Sequence, residues 1–116
     1  MNLNHVNLTV TDVNTAREFL EKYFDLKTRN TRGDSFAILH DDNGLVLTLM
    51  KDIKVNYPKT FHIGFIQRSE EEVNKIYQRL KEDEYDVKPP QRAHGWTFYV
   101  KAPGGFTVEV LSFENL

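Results

Sequence analysis

Thr60-Phe61-His62-Ile63-Gly64-Phe65-Ile66 reads as a strand on which the rest of the fold depends. Two-residue periodicity puts Phe61, Ile63 and Phe65 on one face and His62, Gly64 and Ile66 on the other. A histidine beside a glycine on the less bulky face of a core strand is unusual. The same arrangement occurs once earlier, in Asn4-His5-Val6-Asn7-Leu8-Thr9-Val10, where His5, Asn7 and Thr9 share one face and Val6, Leu8 and Val10 the other.

Outward from these two strands the chain repeats. Residues 3–10 form a first strand, and Asp12 stands at a helix N-cap position. Ala16, Phe19, Leu20, Tyr23 and Phe24 then make one apolar helical stripe. Strands are expected over 26–31, 35–40 and 45–50, with an Arg32-Gly33-Asp34 turn and a hairpin at Asp41-Asp42-Asn43-Gly44. Residues 51–59 are polar, contain Pro58 and read as a connector.

After the His62 strand, Ser69 and Glu72 form a capping box, followed by the stripe Val73, Ile76, Tyr77 and Leu80. Residues 83–90 read as a turn and a short edge strand ended by Pro89-Pro90, and 91–95 as a loop. Strands over 96–101 and 106–113 flank the turn Ala102-Pro103-Gly104-Gly105. His5 and His62 are 57 residues apart, as are the caps Asp12 and Ser69. The final hairpins align at an offset of 61, Gly44 with Gly105 and Thr48 with Glu109. Side-chain parity survives in both blocks, which marks a genuine repeat.

The expected fold is therefore α+β: one domain, residues 1–116, made of βαβββ modules 1–52 and 59–113. Paired modules would curl their mixed sheets into a cup with the helices outside. His5, His62 and Glu109 would then point into the cup, since none lies on the helix-facing parity.

The totals narrow the function classes. A net charge of -2 gives no footprint for nucleic acid or an anionic membrane surface. With no cysteine, disulfides, thiolate metal sites and a cysteine nucleophile are excluded. No apolar run approaches the ~20 residues of a bilayer span, and no secretory signal precedes the first strand, so a cytoplasmic location is the expectation.

Two imidazoles and a carboxylate from three strands are the donor set of an open divalent-metal site for Fe, Mn, Ni, Co or Zn. Neutral imidazoles suit these borderline metals, and three ligands leave positions open for water and substrate. A lone strand histidine is by default a satisfied core or surface side chain. A lone Glu109 between valines on an edge strand is by default solvated. Matching places in a duplicated pattern weigh against both defaults.

These features resemble the vicinal oxygen chelate superfamily, which includes glyoxalase I, extradiol dioxygenases, fosfomycin-modifying enzymes and bleomycin-resistance proteins. The resemblance rests on Asn4-His5-Val6 entering a strand before a capped helix and on Phe61-His62-Ile63-Gly64-Phe65. It rests also on Phe98-Tyr99-Val100-Lys101-Ala102-Pro103-Gly104-Gly105 leading to Glu109. It implies paired βαβββ modules, metal ligands at His5, His62 and Glu109, and a homodimer. Thr48 stands where glyoxalase I enzymes typically carry a fourth ligand, so the donor set is similar to that of the three-ligand dioxygenases and fosfomycin thiol transferases.

The resemblance further implies Tyr99 and His94 as catalytic proton-transfer or hydrogen-bonding groups. It offers Thr9, Thr48, Trp96 and Thr97 as substrate contacts. The function it implies is a metal-dependent lyase, dioxygenase or transferase acting on a small oxygen-chelating substrate. The alternative is a protein that sequesters an antibiotic or metabolite. Arg92 reads as an exposed loop residue, His40 as solvated, and Glu70-Glu71-Glu72 as helix capping rather than acid catalysis.

Overall fold

The computed structural model describes residues 1–115. Ten elements follow in order: β1 (His5–Val10), α1 (Val13–Phe24), β2 (Lys27–Arg32), β3 (Phe36–His40), β4 (Val46–Lys51), β5 (Ile63–Ile66), α2 (Glu70–Glu82), β6 (Gln91–Arg92), β7 (Trp96–Ala102) and β8 (Phe106–Ser112). The βαβββ run occurs twice in an α+β fold, each time with a four-stranded mixed sheet. The chain forms two compact units. The first is Met1–Tyr57 with Ala102–Gly105, and the second is Pro58–Lys101 with the stretch from Phe106 onward.

In the first unit the strand order is β1-β4-β3-β2. β1 runs parallel to β4, and β3 is antiparallel to both β4 and β2. Asp12 caps α1 by accepting the Thr15 amide at 3.0 Å. The helix buries Val13, Ala16, Phe19, Leu20 and Tyr23, and β1, β3 and β4 bury Leu8, Val10, Ala37, Leu39, Leu47 and Leu49. Alternation does the sorting: Leu8 and Val10 are fully buried while His5 and Asn7 on the other face are exposed. The connector ends on Tyr57, whose hydroxyl accepts the Thr9 amide at 2.8 Å and donates to the Thr9 carbonyl at 2.9 Å. The turn 102–105 also closes here, with the Gly104 carbonyl accepting from the Thr11 amide at 3.0 Å. Gly104 combines a φ of +101° with space that a Cβ would contest against Val10 at 3.1 Å, so glycine is required.

In the second unit the order is β5-β8-β7-β6, with β5 parallel to β8. Ser69 caps α2 by accepting the Glu72 amide at 3.1 Å, as the capping box implies. Val73, Ile76, Tyr77 and Leu80 of α2 are buried, and so are Phe98, Val100, Phe106, Val108 and Val110 on β7 and β8.

Most strand ends fall within two residues of the sequence reading, and two differ by more. The expected strand from Thr60 begins only at Ile63, because the Phe61 amide bonds the Pro58 carbonyl at 3.0 Å and turns the chain. The expected edge strand within 83–90 lies instead at Gln91–Arg92, after the prolines. Pro89 and Pro90 have no amide hydrogen to give a ladder.

Candidate functional site

The second unit gathers polar side chains around one buried carboxylate. Glu109 sits on β8 with Gly64 of β5 opposite it in register. β8 lies between β5 and β7, so Glu109 is not on an edge strand, and it is only 5% exposed. Its Oε2 accepts from the Thr97 hydroxyl at 2.6 Å and from His94 Nε2 at 2.5 Å. Its Oε1 faces His62 Nε2 at 3.3 Å. The ring of Tyr99 stands edge-on to that of His62, with centroids 5.4 Å apart.

Each member is positioned by its element. Thr97 and Tyr99 lie two apart on β7 and share a face; Trp96, Phe98 and Val100 take the other. His62 precedes β5 by one residue and keeps the parity of Gly64. His94 rides on the turn closed by the Ala93 amide on the Gly95 carbonyl at 2.9 Å. That turn is packed tightly, because a Cβ at Gly95 would fall 2.7 Å from the Ser112 carbonyl oxygen.

The electrostatics follow. Burial pushes the Glu109 carboxyl upward, but hydrogen bonds from Thr97 and His94, the His94 charge and a hydrogen bond with Tyr99 outweigh it. The net result is a carboxyl held below its ordinary 4.5. Tyr99 moves the other way: burial, then the Glu109 charge and hydrogen bond, raise its phenol above 10.0.

His62 carries further information. Its Nδ1 lies 3.0 Å from the Thr60 carbonyl oxygen. A carbonyl only accepts, so Nδ1 bears the hydrogen, and a neutral ring then turns the lone pair of Nε2 toward Glu109. A protonated ring would instead donate Nε2–H to the carboxylate across the same 3.3 Å.

The other expected site residues have partners of their own within their units. His5 is exposed, with Nδ1 bonded to Asn4 Oδ1 at 2.8 Å. The Thr48 hydroxyl donates to Asn7 Oδ1 at 2.7 Å. Both lie in the first unit with Thr9, whose backbone is held by Tyr57. Trp96 shares a strand with Thr97 but takes the opposite face, where its indole donates to Asn74 of α2 at 2.8 Å. Arg92 is more than a solvated loop residue. It lies 5.0 Å over the Trp96 ring and pairs with Glu70 at 2.6 Å. Among the described residues no group of three or more His, Asp or Glu side chains is arranged to hold a metal ion.

The family model for the Glyoxalase/Bleomycin resistance protein/Dioxygenase superfamily matches residues 2–110. The chain belongs to that superfamily. Within it, a Bacillus cereus structure described as a possible glyoxalase is 60% identical, with a TM-score of 0.93 over 96% of this chain and 98% of its own. The fosfomycin resistance protein FosX of Listeria innocua is 29% identical over 92 residues, covering 75% of this chain and 68% of that protein. A mutant of FosX from Listeria monocytogenes, complexed with Mn(II) and 1S,2S-dihydroxypropylphosphonic acid, shares the fold. Its TM-score is 0.80 at 24% identity, over 95% of this chain and 90% of that one.

For this superfamily member, sequence reasoning missed that Thr97 serves Glu109 directly. Thr97 lies on the strand next to Glu109, on the parity opposite the buried Phe98, and that was the available signal. It also missed Asn7 as the partner of Thr48, although the two are aligned in the β1–β4 register.

Proposed function

We propose that this chain is a divalent-metal-dependent enzyme acting on a small substrate that presents adjacent oxygens. The observation that supports it most is the opposed pair of His62 Nε2 and Glu109 Oε1 at 3.3 Å, with His62 Nδ1 already committed to Thr60. Metal–nitrogen and metal–oxygen bonds of about 2.0–2.2 Å put neighbouring ligand atoms about 3.0–3.4 Å apart, so this pair fits one edge of a coordination shell. A backbone carbonyl on the far ring nitrogen is also the usual way to orient a ligating histidine.

Glu109 supplies the negative charge and is held ionised at neutral pH by its hydrogen bonds. The sequence pattern offers His5 as a further donor, from its matched place 57 residues before His62. The Thr48 hydroxyl, engaged with Asn7, is not needed as a fourth. When bound, the ion would act as a Lewis acid toward substrate oxygens. Tyr99, 44% exposed beside His62 and with its phenol kept protonated, is suited to donate a hydrogen bond or a proton to a bound oxygen.

Metal analysis of protein purified without chelators tests the reading. Wild type should carry close to one equivalent of a first-row divalent ion, and His62→Ala should carry only background. Wild type at the background of the mutant overturns it.

A further inference from the structure

We infer that His94 is a positioning residue: its Nε2–H fixes the Glu109 carboxylate so that Oε1 alone is offered to an incoming cation. The inference rests on the metal reading above and goes further, because it assigns different tasks to the two carboxylate oxygens and gives His94 a task other than proton transfer to substrate.

Oε2 already accepts two hydrogen bonds, from Thr97 at 2.6 Å and His94 at 2.5 Å. Both are at the short end for such bonds, as expected where the acceptor is ionised. An ion at Oε2 would have to displace one of them. Oε1 faces His62 Nε2 at 3.3 Å, and the carboxylate's remaining hydrogen bond is with the Tyr99 hydroxyl. Rotation of the carboxylate would exchange the two oxygens, and two donors from different segments oppose that rotation. Thr97 is a buried β7 residue, whereas His94 comes from a turn wedged against Ser112 by Gly95. Of the two, His94 is the one with an open side, its side chain being 51% exposed. A ligating carboxylate held this way keeps one orientation, which raises affinity without adding a ligand.

Glutamine separates this role from ligation. Its amide nitrogen stands about where the Nε2 of histidine does, and it donates to a carboxylate but is a poor ligand for these metals. The test is the Mn(II) affinity of the full chain, read from the EPR signal of free Mn(II), for wild type, His94→Ala, His94→Gln and Glu109→Ala. Melting temperatures of the same samples establish that each is folded.

Glu109→Ala should abolish binding. His94→Ala should weaken it about 10–100-fold, and His94→Gln should recover most of that loss. His94→Ala with wild-type affinity, while Glu109→Ala binds nothing, overturns the positioning role and leaves the metal reading standing. A loss in His94→Ala as complete as in Glu109→Ala, or one that glutamine does not restore, overturns it in favour of direct ligation. Unchanged binding in Glu109→Ala removes the metal reading, and this inference with it.

Discussion

Gly95→Ala should destabilise the protein although its backbone conformation suits any residue. Its φ lies outside the left-handed region, so alanine brings no torsional penalty. The cost is steric. The new methyl would lie 2.7 Å from the Ser112 carbonyl oxygen and 3.1 and 3.2 Å from two carbons of the Phe113 ring. A carbon–oxygen contact relaxes at about 3.3 Å, so something must yield by about 0.6 Å. The Phe113 ring, 44% exposed, can swing away. Ser112 is fully buried at the end of β8, and its hydroxyl accepts the Glu114 amide at 3.1 Å, so its carbonyl is the firmer side.

The displacement therefore falls on the turn that carries His94. Overpacking of this kind costs about 1–3 kcal/mol, and the narrower unfolded ensemble of alanine returns about 0.4–1 kcal/mol. A net loss of about 1.5 kcal/mol, with a urea slope of about 1.5 kcal/mol per molar, lowers the midpoint by about 1 M. Urea titration followed through Trp96, the single tryptophan, reads it. Gly64→Ala is the control, because its methyl would meet Leu111 at 3.7 Å and Glu109 at 3.9 Å, ordinary contacts. Equal midpoints for the two variants would refute the steric argument.

Tyr57→Phe removes the hydroxyl that holds both backbone groups of Thr9, and should cost about 1–3 kcal/mol. Thermal melting would show a fall of several degrees, and an unchanged melting temperature would show that the connector does not brace β1. The depressed carboxyl of Glu109 makes a pH prediction. Its unfolded value of 4.5 exceeds the folded one, so its contribution is complete above about pH 4.5 and is lost as pH falls through the lower folded value. Wild type should accordingly lose stability over that acid range more steeply than Glu109→Gln, and parallel stability–pH curves would contradict the assignment.

The βαβββ repeat was legible because it rests on local signals. Asp12 and Ser69 cap helices as their side chains allow, and strand parity buries Leu8 and Val10 while exposing His5. Glu109 was legible only as one side of a strand. That it is buried depends on its neighbours β5 and β7, and strand order is not written in any one segment. His94 illustrates the limit best. Its spacing from Tyr99 said little about its role, and its contact with Glu109, 15 residues on, follows from how a tight turn packs on the end of β8. Trp96 shows a related limit. Its aromatic ring suggested a ligand contact, but the parity it shares with Phe98 turns it toward α2.

The most direct measurement is anomalous diffraction from crystals grown with Mn(II). The account predicts a peak about 2.0–2.3 Å from both His62 Nε2 and Glu109 Oε1, with Oε2 still bonded to Thr97 and His94. A fully soaked crystal with no peak between those two atoms, or with its ion on other residues, would contradict it.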